Sequence, residues 1–222
     1  MALENRKLHV EPYDVRNRLA QLGIEEDWLL SAVRVGQLQR NNCTPHHPPS
    51  FPGLSAWADT IKTLRDILVP KDWQIDNPRG LPIVFQSKRK IALTVATGDE
   101  ATGRAEFDPC TKSPKGPQTR SNISNNQYKL FPEEFVRAAY EQTTAKTGHI
   151  TWLLLIHSDE LTREVRCELS LPVGMSDEGR VDGWDERIIL GSTPFDADTL
   201  KVPTDDNPSQ SPNIIVNVKR RA

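Results

Sequence analysis

The chain lacks any apolar run long enough to span a bilayer as a helix: its most apolar stretch, Ile150-Thr151-Trp152-Leu153-Leu154-Leu155-Ile156, falls far short of the roughly 20 residues required. The N-terminus, Met1-Ala2-Leu3-Glu4-Asn5-Arg6-Lys7, has no apolar segment of the kind a signal peptide carries. Cysteine is scarce. Cys43, Cys110 and Cys167 are odd in number and widely spaced, which argues against a disulfide framework and, with no leader, leads us to expect a reducing, cytoplasmic setting. Charge of one sign is missing too. With 28 Lys and Arg against 30 Asp and Glu, the net charge of −2 provides no global field to attract a polyanion, so any nucleic-acid contact must use local basic patches. No internal repeat is visible.

Hydrophobic content of 36% is low for a parallel sheet covered on both faces and adequate for a sheet with one solvated face. At 222 residues the chain is long enough to bury a self-sufficient core. We therefore expect an α+β protein: a helical N-terminal third followed by a mostly antiparallel sheet of five or six strands with one covering helix. The division is residues 1–70, packed on the same core, and residues 71–222.

The periodicities behind this reading are local. Val15, Leu19 and Leu22 repeat at helical spacing after a capping Asp14, and Gly23 supplies a stop. Glu25-Glu26-Asp27 then lead a second helix carrying Trp28, Leu29, Ala32, Val33 and Val35, with the acids at the positive end of its dipole. The connector 41–53 holds Pro45, Pro48, Pro49 and Pro52. From a Ser55 cap, Leu54, Trp57, Ala58, Ile61, Leu64, Ile67 and Leu68 predict a third helix that Pro70 ends. Pro82–Phe85 and Ile91–Val95, separated by a polar turn, predict a hairpin. A further helix is expected from about Pro132 to Gly148. Strands are expected at 150–157, 164–171, 186–190 and 213–218, with a loose loop over 192–212. Within 164–171, Val165, Cys167, Leu169 and Leu171 alternate with Arg166, Glu168 and Ser170, the pattern of a half-buried antiparallel strand.

The candidate site follows the strand Lys90–Thr97. That strand feeds Gly98-Asp99-Glu100-Ala101-Thr102-Gly103 and about thirty residues without clear periodicity, and a long loop on a rigid scaffold is where recognition residues concentrate. Candidate binding residues are Thr97, Asp99, Glu100, Thr102 and Arg104, with Lys112 and Lys115 further along. Thr111-Lys112-Ser113-Pro114-Lys115-Gly116-Pro117 offers lysines and hydroxyls but lacks the glycine spacing of a phosphate loop. The basic turn Lys88-Arg89-Lys90 and the tail Lys219-Arg220-Arg221 are the dense basic groups. Trp184, set among acids, reads either as an aromatic anchor for a partner or as a ring folded over the sheet end.

Asp76 followed by Gln86-x-Lys88 resembles the D…(E/Q)xK arrangement of metal-dependent nucleases related to restriction enzymes. That resemblance implies phosphodiester hydrolysis with acids on a metal and a lysine steadying the water or phosphate, for which Asp76, Gln86, Lys88, Asp99 and Glu100 are the candidates. The hairpin around Leu19–Ile24 has the outline of a helix-turn-helix, though a recognition helix opening on three acids would be repelled by phosphates. Cys43-x-x-His46-His47 has ligand types at close spacing without the second close pair a zinc site needs. The reading the residues favour is a non-enzymatic cytoplasmic interaction protein that binds a macromolecular partner, a protein in the first instance, through the long loop. It needs no metal, cofactor or membrane. The alternatives are the hydrolase and direct DNA binding through the N-terminal helices.

Overall fold

The computed structural model describes residues 7–130 and 148–195. Three N-terminal helices, α1 (Pro12–Leu22), α2 (Glu26–Asn41) and α3 (Phe51–Leu68), pack on one face of a seven-stranded mixed sheet. The strands are β1 (Lys7–His9), β2 (Gln74–Asp76), β3 (Ile83–Gln86), β4 (Ile91–Thr97), β5 (Ile150–Asp159), β6 (Glu164–Met175) and β7 (Val181–Pro194), in the order β1-β7-β6-β5-β4-β3-β2. A fourth helix, α4 (Pro117–Leu130), lies on the other face against β5 and β6. Among the described residues no helix is long and apolar enough to cross a membrane.

The helix boundaries follow local chemistry. Pro12 opens α1 where a missing N–H costs nothing, so Asp14 falls in the first turn and is not its cap. Gly23 closes it in the left-handed region at φ 73°, donating to Ala20 O, while Ile24 N returns to Leu19 O. The third helix begins at Phe51, four residues before the expected Ser55 cap, because Pro52 suits a first turn; Leu54 on that turn is left 56% exposed. Val15, Leu19, Leu29, Val33, Leu64 and Leu68 meet Leu93, Trp152, Leu154, Cys167, Leu169 and Ile188 in one core. Each such side chain, fully buried, contributes on the order of 1.5–3 kcal/mol.

The sheet departs from expectation in three ways. Among the described residues it has seven strands, because the three-residue edges β1 and β2 carry too little sequence to show a period. A mostly antiparallel sheet is expected and four of its six strand pairs are antiparallel, but β1 with β7 and β4 with β5 are parallel. The second pair needs a long crossover, and the segment 98–149 provides it. Third, both faces are covered. Arg166, Glu168 and Ser170, which alternation assigns to solvent, are buried on the face opposite the three helices. The expected helix at 132–148 lies almost wholly outside the described residues, as do the strand at 213–218, the tail at 219–221 and most of the loop at 192–212.

The helix α4 has no counterpart among the expected elements, because it has little amphipathic pattern: its sequence is PQTRSNISNNQYKL. It docks through polar side chains. Asn126 is buried, donates to Thr151 O and Pro172 O at 2.9 Å each, and accepts from Thr151 N at 2.9 Å, so one amide ties the helix to two strands.

Candidate functional site

The segment after β4 is a closed excursion with a fixed conformation. Gly98 N extends the ladder to Ile156 O at 2.9 Å, and the chain returns alongside itself, Asp99 N donating to Cys110 O at 3.0 Å and Lys112 N to Thr97 O at 2.9 Å. Asp99 accepts from Ala101 N through its carboxylate and from Thr102 N through its carbonyl, a tight turn that starts the loop. Gly103 sits at φ 73°, and a Cβ there would come 2.8 Å from Arg166 Cβ, so this turn requires glycine.

Side chains from β6 and β7 then reach up and bind the loop's backbone. Arg166 donates to Thr102 O and Glu100 O, both at 3.1 Å, and to Asp159 at 3.0 Å. Glu168 and Arg187, both fully buried, form a two-point ion pair at 2.6 and 2.9 Å. Arg187 also donates to Phe107 O at 2.7 Å and Arg104 O at 3.0 Å, while Glu168 accepts from Gly103 N at 2.9 Å and Ser170 Oγ at 2.7 Å. Trp184 Nε1 donates to Pro109 O at 2.8 Å. Charges this deep survive only when their donors and acceptors are satisfied, and here loop backbone satisfies them.

Because β4 and β5 are parallel, their C-terminal ends emerge side by side, Thr97 opposite Ile156, and a cleft opens there between the strand ends and α2 and α3. Its volume is about 440 Å³, with Val33, Trp57, Val95 and Ile156 among its walls. A second cavity of about 550 Å³, walled by Asp99, Glu100, Arg104, Phe107 and Arg180, adjoins it, and both share Gly98, Lys112 and His157. His157 Nδ1 donates to Gly98 O at 3.4 Å, and burial lowers its pKa, so near neutral pH the ring is uncharged with Nε2 as an acceptor. Next to it on β5, Asp159 is held down at about 2 by the Thr162 amide and by Arg166.

Two of the thiols are disfavoured as thiolates by their environment. Burial raises Cys110, with Asp99 adding to the shift, and burial beside Glu168 pushes Cys167 up to about 12. Cys43 donates to Gln39 O and His47 stacks on Phe51, so the Cys43-x-x-His46-His47 group is occupied locally. Among the described residues no cluster of three or more His, Cys, Asp or Glu could hold a metal ion.

The residues singled out by sequence are divided between the two ends of β4. Lys88, Arg89 and Lys90 occupy the β3–β4 turn, at the start of β4, and Gln86 ends β3 just before it. Asp99 and Glu100 follow the other end, about 20 Å away at roughly 3.3 Å per residue. Asp76 is exposed on the edge strand β2, with its carboxylate taking Asn77 N at 2.7 Å. The nuclease-like set therefore does not converge. Lys88 pairs with Asp72 at 3.4 Å, and Arg89 donates to Gln21 O, at the negative C-terminal end of α1. Thr102 and Trp184 are buried and anchor the loop from within, so neither presents a binding surface. Thr97, Glu100, Arg104 and Lys112 are exposed around the cleft; Lys115 is half-buried, with burial lowering its pKa.

In the helical hairpin, Leu29, Ala32 and Val33 of α2 are committed to the core and Glu26 accepts from Gly191 N at 3.3 Å. Residues missed by sequence reasoning are Arg166, Glu168, Arg187 and His157, along with Gln37, Trp57 and Thr60, which the helices bring to the cleft. Alternation assigns Arg166 and Glu168 to solvent, and Arg187 follows Asp185 and Glu186, so the local sequence carried no signal that found them. Comparison of the chain with models of protein families, with curated proteins and with solved structures finds no match.

Proposed function

We propose that this is a non-enzymatic binding protein that recognises a macromolecular partner, a protein, through the crown of the 98–110 loop. The supporting observation is the commitment of three buried charged side chains, Arg166, Glu168 and Arg187, to the backbone of that loop. A loop held in one conformation loses little entropy on binding, and that preorganisation raises affinity without new contacts. The crown presents Glu100, Arg104, Glu106 and Asp108 around Phe107, which is 55% exposed, a mixed-charge rim about an apolar anchor. Mixed signs suit a protein surface better than a phosphate backbone. Three unpaired thiols are in keeping with a reducing compartment, and we place the protein in the cytoplasm.

Affinity capture from cells of the source organism, with native mass measurement of the eluate, tests this reading. A stoichiometric protein partner retained by the wild type and by Ile75→Ala, an exposed site on the edge strand β2, but lost with Phe107→Asp, is the expected result. A strictly monomeric protein that retains nothing, or a partner indifferent to Phe107→Asp, would refute it.

A further inference from the structure

Acidic residues make up 30 of the 222 in this chain, yet none of the described residues lining the 440 Å³ cleft is Asp or Glu. Its charged members are Lys112 and Arg40, and it adds the hydroxyls of Ser50, Thr97 and Ser113. Arg40 is neutralised by Glu160 at 3.0 Å, whereas Lys112, at the waist shared with the second cavity, has no carboxylate partner among the described residues. A cavity with no carboxylate among its described lining residues and with an ammonium on its wall favours an anion over a cation, although Asp99 and Glu100 line the adjoining cavity. The rest of the described wall mixes the polar Gln37, Thr60, His157 and Ser158 with an apolar and aromatic part from Val33, Trp57, Val95 and Ile156. The indole of Trp57 is fixed, since its Nε1 donates to Val95 O at 3.1 Å. The volume lies within the range of small-molecule sites, which combine such walls with a few convergent polar groups.

We propose that this cleft binds a small organic oxyanion, a phosphate ester or a carboxylate. Lys112 and the neighbouring hydroxyls take the charged group, and the apolar body lies between α2, α3 and the ends of β4 and β5. The cleft adjoins the cavity that Phe107 walls but does not include that residue, so Phe107→Asp and Lys112→Ala tell the two readings apart. Gly53 offers a way to close it. A side chain grown from Gly53 in the first turn of α3 meets only Arg40 Nη1 at 4.0 Å, and both residues line the cleft. A leucine there starts from a Cβ that meets no core atom.

Titration calorimetry of the full chain with phenyl phosphate, benzoate and neutral benzamide tests the proposal. Saturable binding of phenyl phosphate or benzoate is expected to be at least tenfold tighter than that of benzamide, and which of the two binds identifies the oxyanion. Lys112→Ala should weaken it at least tenfold, and Gly53→Leu should abolish it while the melting temperature holds. Absence of saturable binding by both anions, equal binding of benzamide, or affinity unchanged in Lys112→Ala or in a folded Gly53→Leu protein would overturn it.

Discussion

Replacing Arg187 with Met removes the cation facing Glu168 while keeping an unbranched apolar stem in the space. Glu168, fully buried, then keeps its bonds to Gly103 N and Ser170 Oγ and loses two charge-assisted bonds at 2.6 and 2.9 Å. The loop carbonyls of Arg104 and Phe107 lose their donor in the same step. Stranding one member of a buried ion pair costs about 3–5 kcal/mol, a large share of a total stability of about 5–15 kcal/mol. Urea unfolding at neutral pH should show that loss, and amide exchange over residues 99–110 should accelerate in the native state. The double variant Glu168→Leu with Arg187→Met removes the uncompensated charge and should recover about 1–3 kcal/mol relative to Arg187→Met alone. Its loop should still exchange fast, because the two carbonyls still lack their donor and Gly103 N has now lost its acceptor as well. A midpoint for Arg187→Met within about 0.5 kcal/mol of wild type, or loop protection unchanged in the double variant, would refute the claim that this pair secures the loop.

Asn126→Ala orphans Thr151 N and the carbonyls of Thr151 and Pro172; at about 1–3 kcal/mol per stranded group, thermal unfolding should show a loss well above 1 kcal/mol, while Ser124→Ala on the exposed side changes little. Asp159 titrates at about 2 in the folded protein against an ordinary 3.8, so its contribution to stability is complete above about pH 4 and is lost as pH falls through about 2. Asp159→Asn should therefore flatten the fall in melting temperature across that window and leave its slope at pH 6–8 as it was.

Elements governed by their own periodicity were legible from sequence: the apolar faces of α1 to α3, the β3–β4 hairpin and the existence of β5 to β7. In each, the residues that decide the structure lie within a turn or two of one another. The loop after β4 was legible as a place to look for a site because a core strand ends there on Gly98. What that loop does was not. Its conformation depends on Arg166, Glu168 and Arg187, some 60 to 80 residues away in sequence, and on an alternating strand those side chains read as solvent-facing. Likewise, α4 is held by Asn126 and not by an apolar face, leaving no pattern to detect. The sequence by itself determined the local elements, the absence of a strong charge field and the scarcity of thiols. Tertiary structure alone decided that β4 and β5 run parallel, and this brings their C-terminal ends together beside α2 and α3 to make the cleft around Lys112 and His157. Pairing direction and charge burial are set by what covers a strand, and that information is spread over the whole chain.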